Sequence, residues 1–322
     1  MSPPPCGPAH RELIHTLHQR YRREWERAER LQHQLDRLRG PRLARAFGWL
    51  RSLAGRLRRP AAAPPAGAAL GAALTEAAGP AAGRVSVVIP FRDRPELLRG
   101  CLRSLRRGAY HDFEVLLVDN GSVRRRTARL LGRVEARGLA RVLREPGPFN
   151  FARLCNRAAA HAAGDYLLFL NNDTEVLSPD WLERMLLVAR RPEVGVVGAV
   201  LLYPDGTVQH AGLFPRRDGR WVHAHRGEPG DGEWLRAARA VPAVSGACLM
   251  VGRALFEELG GFDERLPLTY NDVDLCCRAR QRGRLTALAG AARLLHYECL
   301  SRGFAPDEPG AAHLAALPRF PA

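Results

Sequence analysis

Apolar residues fall into two textures in the middle of the chain. VSVVIP (85–90) and FEVLLVD (113–119) are continuous, β-rich apolar runs, the pattern of parallel strands covered on both faces. Between them, RPELLRGCLRSLRR repeats Leu97, Leu98, Cys101, Leu102 and Leu105 at helical spacing. The same reading predicts a helix over 124–137, a strand over 140–144, a helix over 150–163 and a strand over 166–170. This βαβαβαβ order predicts an α/β fold built on a mostly parallel, doubly wound sheet.

Upstream the pattern differs. Ile14, Leu17, Tyr21, Ala28, Leu31, Leu35 and Leu38 recur at spacings of three and four, interrupted by Glu24. This is a heptad-like helix, read either as a coiled coil that self-associates or as one amphipathic helix lying on its own domain. RLARAFGWLRSLAGRLRRP follows with Leu43, Phe47, Leu50, Leu53 and Leu57 on one stripe, arginine elsewhere and no acid. A helix attracted to an anionic membrane surface and a solvated basic helix both fit. Residues 60–83 are Ala, Pro and Gly in low complexity and read as a linker. The expected organisation is a helical segment (1–59), a linker (60–83), a main domain (84–303, dividing at 173/174) and a short tail (304–322).

Composition changes the picture in two places. Of the 322 residues 49 are basic and all of these are Arg, giving a net charge of +16. Residues 1–60 hold 14 Arg against 5 acids, so the charge is concentrated at the N-terminus. No helix-turn-helix, RNP-like aromatic pattern or zinc spacing accompanies it, which argues against specific nucleic-acid binding. The seven Cys are an odd number without CxxC pairs, as expected of a reduced cytoplasmic protein. No signal-peptide h-region or run of about 18 apolar residues occurs.

The candidate chemistry lies where the strands end. YLLFL (166–170) runs straight into Asn171, Asn172 and Asp173; the first strand ends at Pro90, Phe91, Arg92 and Asp93, and the second at Asp119. In an open α/β sheet these positions share one rim, where ligands bind. Neither GxGxxG after the first strand nor GxxxxGK[ST] is present, so a carboxylate-rich site that holds phosphate calls for a bridging divalent metal.

VSVVIPFRDRPELLRGCLRSL, VLLVDNGS, NFARLCNRAA, GDYLLFLNNDTEV, SGACLMV, GGFDE, YNDVDLCCRARQRG and HYECLSRG, in this order, resemble the inverting family 2 glycosyltransferases of bacterial surface-polysaccharide synthesis, which include rhamnosyltransferases. The resemblance covers roughly residues 84–303. It implies a GT-A fold, a nucleoside-diphosphate sugar as donor, a glycan or lipid-linked acceptor, and Mg2+ or Mn2+ as cofactor. It implies that Asp119 binds the donor base, beside Pro90 to Asp93. Asn156, Asn171 and Asn172 then face the nucleotide, Asp173 binds the metal as the final acid of the family's DxD motif, whose first acid is here Asn171, and His296 completes that metal site. Asp272 corresponds to the catalytic base. Inversion at an anomeric carbon needs one such base to deprotonate the acceptor hydroxyl. Asp274 and Arg302 are further candidates near the diphosphate or acceptor.

Blander readings stand beside these. NND after a strand is commonly a turn or cap, and YNDVD can be a helix start with stabilising acids. His296 alone fits an ordinary core or loop histidine. Cys276 and Cys277 read as small core residues. Asp205–Asp231 reads as a long loop whose Gln209, His210, Trp221, His223 and His225 surround the acceptor or donor sugar. The expectation is a cytoplasmic, peripherally membrane-associated transferase, with a catalytically inactive scaffold of the same fold as the alternative.

Overall fold

A computed structural model describes residues 73–74, 77, 79–216 and 220–297. The heptad-like and basic segments, most of the linker, Arg302 and the tail lie outside the described residues.

The expected strands and helices of the first half form close to the anticipated bounds. The chain runs β1 (Ala73–Leu74), β2 (Val85–Phe91), α1 (Pro95–Leu105), β3 (Phe113–Asp119), α2 (Arg125–Ala136), β4 (Arg141–Arg144), α3 (Phe151–Ala159) and β5 (Tyr166–Leu170). Strands β4, β3, β2 and β5 are neighbours and all parallel, with Val85 beside both Phe113 and Tyr166. Every residue of β2 is buried because both sheet faces are covered. Val85, Val87 and Ile89 join Leu98, Cys101 and Leu130 on one face, whereas Val88 meets Leu154, Cys155 and Phe169 on the other. Strand alternation thus divides one apolar run between two cores.

The second half comprises β6 (Thr174–Val176), α4 (Trp181–Ala189), β7 (Val194–Leu202), β8 (Val208–His210), β9 (Leu213–Pro215), β10 (Trp221–His223), β11 (Ala238–Ala240), β12 (Cys248–Gly252), α5 (Arg253–Glu258), α6 (Asn271–Gln281) and β13 (Leu285–His296). Here the parallel rule stops. β12 lies antiparallel between β5 and β7, and β13 runs parallel to β7. The main path through the eleven-stranded sheet is β1-β11-β13-β7-β12-β5-β2-β3-β4. A strand buried on both faces carries the same continuous apolar sequence in either direction, so its orientation is not written in its pattern.

Two regions expected to be irregular contribute strands. Ala73–Leu74, inside the expected linker, pairs with Ala238–Arg239. The expected loop after Asp205 contains β8, paired to β7, and the β9–β10 hairpin. Gly198 in β7 has a structural reason: a Cβ there would come within 2.5 Å of Val244. Its absence lets Val244 lie directly on the sheet and sets the following Ser245–Ala247 turn at the strand ends. Among the described residues, no helix is long and apolar enough to cross a membrane.

Candidate active site

The first part of the crevice is made by the ends of β2 and β3. Pro90 and Phe91 are buried and Arg92 is exposed. Asp93 and Arg94 both have left-handed backbones (φ 54° and 50°), a strained pair of the kind found at functional loops. Asp93 Oδ1 accepts hydrogen bonds from Val123 N (3.2 Å), Arg124 N (2.9 Å) and Thr127 Oγ1 (3.1 Å), so it caps α2 from another loop. Burial works to raise its pKa, but these hydrogen bonds and the Arg124 charge prevail and hold it below the ordinary 3.8. Asp119, 8% exposed, accepts Ser122 N at 2.8 Å. Neighbouring Asn120 donates to Glu145 O and its backbone N–H bonds Phe91 O, tying the two strand ends together.

The second part assembles where β5 and β13 end. β6 pairs antiparallel with β13, opposing Thr174 to His296, and this pairing brings His296 over the Asn171–Asp173 turn. Thr174 Oγ1 donates to Asn171 O (2.8 Å) and Tyr297 N donates to Asp173 O (3.0 Å). His296 Nε2 lies 3.3 Å from Asp173 Oδ1 and 3.2 Å from Asn171 Nδ2. On its far side, Nδ1 is 2.6 Å from Gln209 Oε1, while Gln209 Nε2 donates to the His296 carbonyl at 3.2 Å. The carbonyl fixes which way the Gln209 amide points, so His296 Nδ1 is the nitrogen that carries hydrogen, and Nε2 turns to Asp173.

This donor set fits a divalent cation. A buried carboxylate oxygen and an imidazole nitrogen 3.3 Å apart suit adjacent positions on Mn2+ or Mg2+, and the outer hydrogen bond to Gln209 is what a ligating histidine ordinarily has. Among the described residues, no group of three or more His, Cys, Asp or Glu side chains could hold a metal alone. An ion held here by Asp173 and His296 would need water or other oxygen ligands to complete its sphere.

The third part is the start of α6. Tyr270 precedes it in a left-handed conformation (φ 63°) and Asn271 bonds Leu266 O, so the helix begins at a sharp corner. Asp272 Oδ2 accepts Gly246 N at 2.7 Å and Oδ1 accepts Val273 N at 2.8 Å, leaving the residue partly exposed. Asp274 is different: it is 3% exposed and bound to Arg278, whose Nη1 bonds Leu259 O at 2.7 Å. That ion pair ties Asp274 to the next turn of α6 and, through Arg278, to the Leu259 carbonyl.

The Ser245–Ala247 turn joins the parts. Ser245 N donates to His210 Nε2 (3.2 Å), Gly246 N to Asp272, and Ala247 O accepts Asn171 N (3.0 Å). His210 is 1% exposed rather than lining a loop, and burial, then His223 and His296, push its pKa well below the ordinary 6.5. Trp221 pairs with Pro215 in the hairpin and packs against the second core. Asn156, expected at the nucleotide, instead grips the Phe262–Glu264 segment: it donates to Phe262 O and accepts Phe262 N, both at 2.9 Å. Gly261 (φ 75°) permits this approach, because a Cβ there would lie 2.6 Å from Asn156 Oδ1. Cys276 and Cys277 are buried in the core as expected, with burial pushing the Cys277 thiol up to about 12. Gly246 contributes through its backbone amide, which no side-chain pattern announces.

Residues 86–260 match the family model described as "Glycosyl transferase family 2". The chain is 40% identical over 226 residues to "Uncharacterized protein y4gI" of Sinorhizobium fredii, covering 68% of this chain and 25% of that protein. It is 42% identical over 225 residues to "O-antigen biosynthesis protein RfbC" of Myxococcus xanthus, covering 68% and 18%. The chain thus spans a quarter or less of the length of these two relatives. It is 30% identical over 259 residues to "N-acetylglucosaminyl-diphospho-decaprenol L-rhamnosyltransferase" of Mycobacterium tuberculosis, covering 71% and 80%. Among solved structures, GalNAc-T7 with UDP, GalNAc and Mn2+ superposes with a TM-score of 0.61 at 16% identity, over 73% of this chain and 48% of that one. The mannosyltransferase PcManGT from Pyrobaculum calidifontis, with GDP-Man and Mn2+, gives 0.51 at 17%, over 85% and 78%. At such identities the likeness is one of fold, the GT-A fold.

Proposed function

The chain belongs to glycosyl transferase family 2, and from that premise we propose that it transfers a sugar with inversion from a nucleoside-diphosphate sugar to a glycan or lipid-linked acceptor in cell-surface polysaccharide synthesis. The observation that carries this reading is the Ser245–Ala247 turn, which hydrogen-bonds Asp272 at 2.7 Å and Asn171 at 3.0 Å and so ties the Asp272 carboxylate to the strand end that leads into Asp173.

In this reading Asp119 and the Pro90–Asp93 loop receive the base and ribose, with Asp93 holding the loop against α2. Asp173 and His296 would hold Mg2+ or Mn2+. When bound, the ion supplies positive charge against the diphosphate leaving group. Asp272 accepts the proton of the acceptor hydroxyl as that oxygen attacks the anomeric carbon from the face opposite the diphosphate. Its two hydrogen bonds from Gly246 N and Val273 N fix its direction. The names of the relatives, an O-antigen biosynthesis protein and a rhamnosyltransferase acting on a diphospho-decaprenol, favour a deoxyhexose donor and a lipid-linked acceptor. With such an acceptor the enzyme would act at the inner face of the cell membrane, where the basic N-terminal segment would assist. The test is nucleotide release from a panel of nucleotide sugars with Mn2+ and acceptor lipids. Release with at least one donor is expected, and neither turnover nor binding with any donor would leave the inactive-scaffold reading.

A further inference from the structure

One three-residue strand reaches both chemical parts of the crevice. β8 pairs Leu201 with His210 and Leu202 with Val208, so the register slips and Gln209 is the extra residue of a β-bulge. A bulge re-aims the side chains around it, and bulges recur beside active sites for that reason. Gln209 and His210 are both buried, at 3% and 1% exposure. The Gln209 amide grips a single residue with both ends: Oε1 at 2.6 Å from His296 Nδ1 and Nε2 at 3.2 Å from His296 O.

His210 faces the other way in function. Its Nε2 receives Ser245 N at 3.2 Å, and its Nδ1 lies 2.9 Å from His223 Nδ1. A backbone N–H can only donate, so His210 Nε2 is bare and its hydrogen is on Nδ1. That hydrogen is given to His223 Nδ1, which places the His223 hydrogen on Nε2. The turn held in this way donates Gly246 N to Asp272 Oδ2 at 2.7 Å.

We propose that Gln209 and His210 are paired positioning residues: Gln209 orients His296 toward Asp173, and His210, with its tautomer set by His223, holds the Ser245–Ala247 turn that aims Asp272. The inference rests on the roles given above to Asp173, His296 and Asp272. Both side chains are buried and act through the residues they hold. Each acts on a different step, one on metal and diphosphate binding and the other on proton removal.

Long-range 1H–15N correlation spectra of the histidine rings in the full chain read the tautomers without any substrate. Hydrogen on Nδ1 of His210 and His296 and on Nε2 of His223 is expected; His210 carrying its hydrogen on Nε2 overturns the arrangement. Binding of Mn2+ with UDP or GDP, followed by the electron paramagnetic resonance of free Mn2+, gives the second reading. Gln209→Ala should weaken Mn2+ binding about 10–100-fold, the usual effect of losing such an outer hydrogen bond. Its kcat should recover at high Mn2+, and Gln209→Glu, which retains an acceptor for Nδ1–H, should restore most of the affinity. His210→Ala should lower kcat about tenfold or more with Mn2+–nucleotide binding unchanged, and His210→Gln, a neutral acceptor for Ser245 N–H, should recover part of it. Both alanine variants losing the same quantity, or neither losing any, overturns the division of labour. A wild-type chain that binds no Mn2+–nucleotide and turns over no donor sinks the transferase reading instead, while the spectra still decide the tautomers.

Discussion

The two rims of the crevice are held in opposite ways. At the ends of β2 and β3, Asp119 is fixed by Ser122 three residues on, and Asp93 by residues 29–34 positions away that open the next strand's helix. At the ends of β5, β12 and β13, His296 is fixed by Asn171 and Gln209, 125 and 87 residues away, and Asp272 by Gly246 across 26 residues. The first rim is a property of consecutive β-α units. The second exists only when four separate strands have docked, so its geometry depends on the whole sheet. Substitutions in the first should act locally, and substitutions in the second should spread.

The sharpest break in this comparison is Asp272→Asn. The amide retains a similar shape but is a far weaker base, so turnover should fall about 10²–10⁴-fold, with nucleotide affinity measured by calorimetry unchanged because the first rim is untouched. Next is Arg278→Ala, which strands the buried Asp274 carboxylate; the pair has side-chain exposures of only 24% and 4%. A loss of about 3–5 kcal/mol is expected in urea unfolding, together with reduced kcat, since the Asp272 helix is anchored there. Asp93→Ala, its counterpart on the local rim, removes a cap from α2 and should cost about 1–2 kcal/mol. Hydrogen exchange should rise in α2 and stay unchanged in α6; a rise in both would erase the distinction drawn between the rims.

Acid separates the rims more finely. The His210 pKa is depressed below 6.5, so the native state excludes a proton that the unfolded chain binds. Its contribution is complete above about pH 6.5 and declines below it, by up to about 1.4 kcal/mol per pH unit. Asp93 is also depressed, from 3.8, so its contribution is present above about pH 3.8 and is lost as the pH falls through its lower folded value. Urea midpoints from pH 7.5 to 5.5 should fall in the wild type and flatten in His210→Gln, with the Asp93 effect unseen in that range.

The same contrast explains what was legible. β2, β3, β5 and helices α1 to α3 appear near their expected bounds because apolar runs and helical spacing are local signals. Asn171 to Asp173 were found as candidates because polar residues follow an apolar run abruptly, and Asp272 and His296 through family resemblance. Strands β8 to β10 fall in a segment whose Gly and Pro predict a loop: strands of three residues carry too short a pattern for alternation to show. The Asn156 amide is engaged by the Phe262 backbone and the Glu264 side chain, over 100 residues on, which the local sequence does not show. Asp272 and Asp274 look alike in sequence, and only the position of Arg278 on the folded helix makes one an anchor and leaves the other partly exposed.

The sequence by itself determined the βαβ units, their two cores and the rim at which carboxylates and amides gather, because strand and helix periodicity act over neighbouring residues. The tertiary structure alone decided that β12 enters antiparallel, that β8 bulges at Gln209, and that the Gly246 amide meets Asp272. Those outcomes depend on sheet register and backbone N–H groups. Backbone groups are common to almost every residue, so no residue type signals which of them will be used.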